Sequence, residues 1–345
     1  MNWPRVTIQI VTYNSRQYLP ECLRSIFDQT YRDFQVLIID NASQDRTVDW
    51  LKANYPQVAV FQNNRNLGFA KAHNQGLKLL NSPYVVICNP DIILESNWLA
   101  KIMSCAQSEK YLAFGSFGGK LLKLKVNNLE LNDVEKTKQI DSCGLKIFKN
   151  HRVVELGAGE TSSAFTVEQE IFGCSGALTL FKREALQSVF LKTSFRPQGE
   201  YFDEDFFFYK EDIDLAWRLR LAGWRSLMVP PAVAYHIRSL GGSEKKGPLA
   251  IIYNRRRQSR LARYYSYRNH WLFLIKDEFI FNLLKYLPSI LYFEAKKFVY
   301  ASLAERLAPI ALAEVIKLLP RMLVKRTVIF KQTKTTAADL RRWFV

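Results

Sequence analysis

A chain of 345 residues with 48% hydrophobic content has enough apolar sequence for one large α/β domain with an appendage, or for two modest domains, and this excludes a disordered polypeptide. Its formal net charge of +17 is unevenly spread: residues 238–345 carry 22 Lys+Arg against 7 Asp+Glu, a net of +15, which leaves only +2 for the rest. A near-neutral unit joined to a basic, aromatic-rich tail fits an anionic surface better than nucleic acid, for which no familiar basic recognition motif is present.

The N-terminus runs straight into a strand pattern, without a basic segment followed by an apolar one, so a cytoplasmic protein is expected. Val6 to Val11, Phe34 to Ile39, Val58 to Phe61 and Tyr84 to Cys88 are apolar, strand-like runs. Helical patterns follow them at Tyr18 to Phe27, Thr47 to Ala53, Ala70 to Leu80 and Trp98 to Ala106. Strands alternating with helices at this spacing predict an α/β fold with a mainly parallel sheet, whose ligands collect at the carboxyl ends of the strands. Polar clusters stand just there: Thr12-Tyr13-Asn14-Ser15, Asp40-Asn41-Ala42-Ser43, Asn63-Asn64-Arg65-Asn66 and Asn89-Pro90-Asp91.

From Leu121 to Val154 the pattern weakens and reads as a surface insertion or hairpin. An apolar run from Ile171 to Phe181 is broken by Gly173 and Gly176, where missing side chains allow close backbone approach. Next come three acids, Glu211, Asp212 and Asp214, at the start of an amphipathic helix carrying Leu215, Leu219 and Ala222. A carboxylate in a first turn is stabilised by the helix dipole and can serve as a base. Ser226 to Val229, Pro230-Pro231 and Ala234-Tyr235-His236 follow, then a glycine-rich basic loop from Ser239 to Gly247, and everything beyond about Ile251 reads as helical.

In the tail, charges at Lys276, Lys285, Glu294, Arg306 and Glu314 interrupt every apolar run well short of a membrane span. Within Ile310 to Val324, Leu312, Val315, Ile316, Leu319 and Leu323 form an apolar stripe beside Lys317, Arg321 and Lys325, with Pro320 expected to kink or divide the helix. Such a helix suits an anionic membrane interface, with a packed helical subdomain or a homo-oligomer contact as the other reading. The five cysteines are scattered singly, which indicates neither a zinc site nor a disulfide framework.

Taken in order, Val11-Thr12-Tyr13-Asn14, Asp40-Asn41-Ala42-Ser43-Gln44-Asp45, Asn66-Leu67-Gly68-Phe69-Ala70, Asn74-Gln75-Gly76, Asn89-Pro90-Asp91, Gly173-Cys174-Ser175-Gly176-Ala177, Glu211-Asp212-Ile213-Asp214 and His236 resemble family 2 glycosyltransferases of the GT-A fold, in the rhamnosyltransferase-like branch. The resemblance covers roughly residues 4 to 275 and rests on the motifs jointly. It implies a Rossmann-like domain over residues 1–250, followed by a basic helical region over 251–345. It also implies inverting transfer of a sugar from a nucleoside diphosphate onto a hydroxyl of a glycan or lipid-linked acceptor in bacterial surface polysaccharide synthesis, on the inner face of the plasma membrane. L-rhamnose from dTDP-rhamnose leads, and a hexose or N-acetylhexosamine from a UDP-sugar comes second.

On the same resemblance, Thr12, Tyr13, Asn14, Asp40, Asn66, Gly68, Phe69 and Asn89 line the donor nucleotide, and Asp91 and His236 hold Mn²⁺ or Mg²⁺. Asp212 is the general base, Glu211 and Asp214 orient it or contact the acceptor, and Gly176 lies toward the acceptor. Arg268, in the segment Tyr264 to Trp271, either contacts the diphosphate or anchors the tail. Asn89 stands where the family's DxD motif has its first acid, which raises the alternative of an inactive nucleotide-sugar-binding protein.

Overall fold

The computed structural model describes residues 3–126, 134–237 and 258–345. In chain order its elements are β1 (Val6–Thr12), α1 (Leu19–Phe27), β2 (Phe34–Asp40), α2 (Thr47–Asn54), β3 (Ala59–Gln62), α3 (Phe69–Leu79), β4 (Tyr84–Cys88), β5 (Ile92–Leu94), α4 (Trp98–Ala106), β6 (Phe114–Val126), β7 (Val134–Ser142), β8 (Leu145–Ile147), β9 (Val153–Glu155), β10 (Gln169–Ile171), β11 (Leu178–Lys182), α5 (Arg183–Ser188), β12 (Leu191–Thr193), β13 (Arg196–Glu200), α6 (Glu211–Leu221), β14 (Arg225–His236), α7 (Arg260–Asp277), α8 (Ile280–Lys285), α9 (Leu287–Leu303), α10 (Ala308–Lys331) and α11 (Ala337–Arg341). They fall into two compact units: Met1–Leu145 with Glu155–Gln187 and Trp224–Ser239, and Lys146–Val154 with Ser188–Gly223 and Leu240–Val345.

The first unit is built on a sheet ordered β10-β14-β6-β11-β4-β1-β2-β3, with β5 added to β14 and β7 to β6. β1 to β4 pair in parallel, and all of these strands and the helices α1 to α4 begin and end within one residue of the sequence expectation. The reason is patterning: Leu19, Cys22, Leu23 and Ile26 put one face of α1 into the core beside Val6, Ile8 and Ile10. β11 runs antiparallel between β4 and β6, while β6 and β14 pair in parallel.

Three stretches take shapes that the local sequence pattern left open. The weak region after Leu121 does contain an antiparallel pair, β6 with β7, but β6 is an interior strand of the main sheet. The run from Ile171 to Phe181 is two strands, because β10 ends at Ile171 and β11 begins at Leu178. Pro230-Pro231 does not break β14: the strand passes through with a register shift between Val229 and Val233. Prolines are tolerated at such a bulge, and Gly119 on β6 makes the room, since a Cβ there would lie 1.9 Å from the Ala232 carbonyl oxygen. The loop expected at Ser239 to Gly247 lies outside the described residues.

The second unit is mostly helical. On α10, Ala308, Ala311, Val315, Leu318, Met322, Lys325 and Ile329 recur at three- and four-residue spacing and are buried. This corrects two readings: Pro320 does not divide the helix, and Val315 and Lys325 lie on its buried face, whereas Ile316, Leu319, Leu323, Lys317 and Arg321 of the expected stripes are exposed. Among the described residues no helix is long and apolar enough to cross a membrane.

Candidate active site

In the first unit the carboxyl ends of β1 and β2 are tied together by side chains. Thr12 Oγ1 donates to Asp40 Oδ1 at 2.9 Å, and the Ser43 amide donates to Asp40 Oδ2 at 2.9 Å. Asn14, in the left-handed region at φ 50°, donates its amide to Ser43 Oγ and accepts from the Gln44 amide through its side chain. Asn tolerates this conformation better than most residues. Tyr13 between them is exposed.

Asn41 carries the connection onward to the loop before α3. Its Nδ2 donates to the Gly68 carbonyl at 3.2 Å, and its Oδ1 accepts from Asn63 Nδ2 at 3.0 Å. Asn66 Oδ1 accepts from the Gly68 amide at 2.9 Å, which closes a tight turn, and Gly68 at φ 82° begins α3. Phe69 packs its ring on His73, 4.2 Å between centroids. His73 is a core residue: burial alone lowers its pKa to about 3, and Gln9 Nε2 reaches both its Nδ1 and its carbonyl oxygen at 2.9 Å. Gly76 is needed because a Cβ would lie 2.5 Å from the Gln9 amide. The expected nucleotide-side residues Thr12, Asn14, Asp40, Asn66 and Gly68 therefore form one hydrogen-bonded rim, linked through Asn41.

The next strand end is set by register. Asn89 donates its amide to the Ala177 carbonyl at 2.9 Å, which brings the half-buried Gly176 turn beside the Asn89-Pro90-Asp91 turn. β5 pairs with β14 so that Ile92 faces His236, and the Ile237 amide donates to the Asp91 carbonyl at 3.1 Å. His236 consequently lies between two acids, with Nε2 3.4 Å from Asp91 Oδ1 and Nδ1 2.9 Å from Asp141 Oδ2. Burial opposes its charge, but the negative charge of Asp91 and the hydrogen bond to Asp141 outweigh burial and push its pKa up to about 9.

Asp141, at the end of β7, is the residue sequence reasoning missed. It lies in the weakly patterned region, and only the pairing of β7 with β6 brings it to His236. Among the described residues no three His, Cys, Asp or Glu side chains are grouped to hold one metal ion. The geometry explains this, because the two acids address opposite ring nitrogens of His236 and cannot share a cation.

The acidic helix belongs to the second unit. Phe207, Tyr209 and Lys210, with φ of 63°, 69° and 68°, are non-glycine residues in the left-handed region just before Glu211. Such backbone costs about 1 to 3 kcal/mol per residue and persists only where surroundings impose it. Here α7 imposes it: Asn269 Nδ2 lies 2.9, 3.0 and 2.7 Å from the carbonyl oxygens of Phe206, Phe208 and Tyr209. Arg268 donates to the Asp205 and Phe206 carbonyls and stacks on Tyr265 at 4.6 Å, so it anchors this loop.

On α6 the three acids differ. Asp212 is half-buried and accepts from the Ile213 amide at 2.8 Å. Glu211 is buried, and burial followed by the charges of Asp212 and Asp214 pushes its pKa well up. Asp214 is fully buried and bonded to Arg218 Nε at 3.0 Å, Arg218 Nη2 at 2.7 Å and Lys276. Its carboxylate braces the helix, and the acceptor contact expected of it has no exposed atom to serve it.

The profile of the family described as "Glycosyl transferase family 2" matches residues 7–190. An uncharacterized glycosyltransferase of Haemophilus influenzae is 29% identical over 120 residues, 34% of this chain and 37% of that protein. The N-acetylglucosaminyl-diphospho-decaprenol L-rhamnosyltransferase of Mycobacterium tuberculosis is 25% identical over 247 residues, 66% of this chain and 74% of that protein. Among solved structures, GalNAc-T7 with UDP, GalNAc and Mn²⁺ superposes with a TM-score of 0.60 at 15% identity, covering 99% of this chain and 58% of that one. The chain thus spans about a third of the Haemophilus protein and just over half of the GalNAc-T7 chain. The fold is the expected GT-A type, α/β with a mainly parallel central sheet and a helical C-terminal region.

Proposed function

The chain belongs to glycosyl transferase family 2, and from that premise we propose that it moves a sugar from a nucleoside diphosphate to an acceptor hydroxyl with inversion at the anomeric carbon. L-rhamnose from dTDP-rhamnose is the first choice of donor, favoured by the mycobacterial relative, and a UDP-linked hexose or N-acetylhexosamine is the second. The acceptor is a glycan or lipid-linked glycan of a bacterial surface polysaccharide, met at the inner face of the plasma membrane. We assign the transfer chemistry to residues 1–250.

The single observation that carries the reading is the pair Asp91 and His236 beside the polar rim of β1 and β2. Asp141 holds Nδ1 of the imidazole, which fixes the tautomer and leaves Nε2 toward Asp91, and a metal-ligating histidine needs that outer partner. The Nε2 to Oδ1 separation of 3.4 Å is long for a hydrogen bond, so the two atoms suit neighbouring ligands of one divalent cation. Asp91 and His236 would hold Mn²⁺ or Mg²⁺, and the cation would offset charge on the departing diphosphate.

Asp40 is fully buried, so it would accept from the imide N–H of uracil or thymine only once the rim opens to uncover one of its oxygens. Its two oxygens still have lone pairs after taking the Thr12 hydroxyl and the Ser43 amide. Asp212 removes the acceptor proton, while Glu211, with its pKa raised, keeps its own proton and leaves Asp212 as the charged partner of the pair.

The test is calorimetric titration of dTDP, UDP and GDP, with and without Mn²⁺, into the wild type, Asp91→Ala and Asp212→Asn. Metal-dependent binding of one nucleotide that Asp91→Ala abolishes and Asp212→Asn retains is the expected pattern. With that nucleotide's sugar as donor, Asp212→Asn should lower transfer at least about 10²-fold. Binding without transfer in the wild type would favour the inactive binding protein that Asn89 brings to mind, and no nucleotide binding at all would sink the proposal.

A further inference from the structure

α9 is turned inside out for a helix in water. At about 100° per residue, Leu287, Pro288, Leu291, Tyr292, Ala295, Phe298, Val299 and Leu303 spread over roughly half its circumference, and all of them are exposed. Its one acid lies on the buried side with Ile290 and Ala301: Glu294 is 3% exposed and lies with Oε1 2.9 Å from His270 Nε2. A surface helix of a water-soluble domain normally shows the reverse arrangement. The preceding α8 repeats the feature on a smaller scale, with Ile280, Phe281 and Leu284 at 60%, 76% and 61% exposure.

Charge identifies the occupant. From Ile280 to Lys331 there are nine Lys+Arg and three Asp+Glu. Of the acids, Glu294 and Glu305 are buried and Glu314 is half-buried, whereas Lys285, Lys296, Lys317 and Arg321 are exposed. Lys296 lies 4.0 Å from the Tyr292 ring and flanks the apolar half of α9. A second copy of this chain would bring the same cations against themselves. An anionic lipid surface offers both an apolar interior and negative headgroups.

We propose that the exposed half of α9, continued by α8, is a membrane-docking surface that inserts its apolar side chains among the acyl chains of anionic lipid with Lys285 and Lys296 at headgroup level. This deepens the proposed function by naming the surface that meets a membrane-borne acceptor. On the stripe expected on α10, Ile316, Leu319 and Leu323 are exposed while Val315 and Lys325 are buried.

The experiment is sedimentation of the full chain with phosphatidylethanolamine–phosphatidylglycerol vesicles and with phosphatidylcholine vesicles, at low and high salt. The wild type should bind the anionic vesicles and lose binding as salt rises. Leu291→Ser with Val299→Ser and Leu303→Ser should weaken binding about tenfold or more. Lys285→Glu with Lys296→Glu, on exposed positions that leave packing alone, should weaken it by about fivefold or more per charge removed. Circular dichroism of both variants checks folding.

Wild-type sedimentation that neither set of substitutions reduces would overturn the proposal. So would a wild type that binds no vesicle, or sedimentation equilibrium showing that the serine substitutions abolish a dimer and leave lipid binding intact. Nucleotide calorimetry on the same samples separates the two readings: vesicle binding without nucleotide binding refutes the transferase and keeps the surface, and the converse result refutes only the surface.

Discussion

Asp141 shows how much one carboxylate outside the motifs can matter. Its Oδ2 fixes His236 Nδ1 at 2.9 Å, so a neutral amide there would hold the ring less firmly and reduce its basicity. Asp141→Asn should weaken Mn²⁺-dependent nucleotide binding about 10- to 100-fold and leave metal-free binding alone, which paired calorimetric titrations would read directly. Equal losses with and without metal would show a general disturbance instead. Asp40 and Asp91 stood out from the polar clusters at strand ends, and His236 from the family resemblance. Asp141 did not, because its role depends on a strand pairing between Leu122 and Ile140 that no local pattern announces.

At the scale of elements, α7 and the loop before α6 act as a clamp. The Asn269 amide has three carbonyl oxygens within 3.0 Å, and without it Phe207, Tyr209 and Lys210 would relax from their left-handed conformations. Asn269→Ala should therefore lower kcat about tenfold or more, since misplacing a reacting group by about 1 Å costs on the order of 10²-fold, while the donor KM stays near the wild-type value. Asn269→Asp should be worse, because it turns a carboxylate toward the same carbonyl oxygens. Steady-state kinetics on both variants checks this, and a change confined to KM would oppose it. The acidic helix itself was readable from Leu215, Leu219 and Ala222. The left-handed turn was not, because Phe207, Tyr209 and Lys210 carry no local signal for positive φ and obey a tertiary constraint.

At the scale of the whole molecule, the parallel half of the sheet was legible because apolar periodicity and crossover spacing decide it. The reversed β11 and the threaded prolines of β14 were not, since long-range pairing decides those. The second unit also hides an ionic core. Lys325 is fully buried, 2.6 Å from Glu200 and 2.9 Å from Asp205, and bonded to Asp203; Lys276 reaches Asp203 at 2.7 Å and bonds Asp214. Burial alone would raise the Asp203 pKa, but Lys276 and Lys325 hold it well below the usual carboxylate range. Lys325→Met leaves buried acids uncompensated and should cost about 3 to 5 kcal/mol, read as a lower urea midpoint. A midpoint unchanged from the wild type would show that the acids find other partners.

That core also sets an order of events during synthesis. A ribosome releases Glu200, Asp203 and Asp214 long before Lys276, and Lys325 follows Asp203 by 122 residues. Arg196 and Arg218 already accompany Glu200 and Asp214, but Asp203 waits for Lys276 and Lys325, so the stretch before the acidic helix stays hydrated while the sheet, complete at His236, can already close. The stretch that leads into the helix proposed to carry the base is thus among the last parts of the chain to find its place.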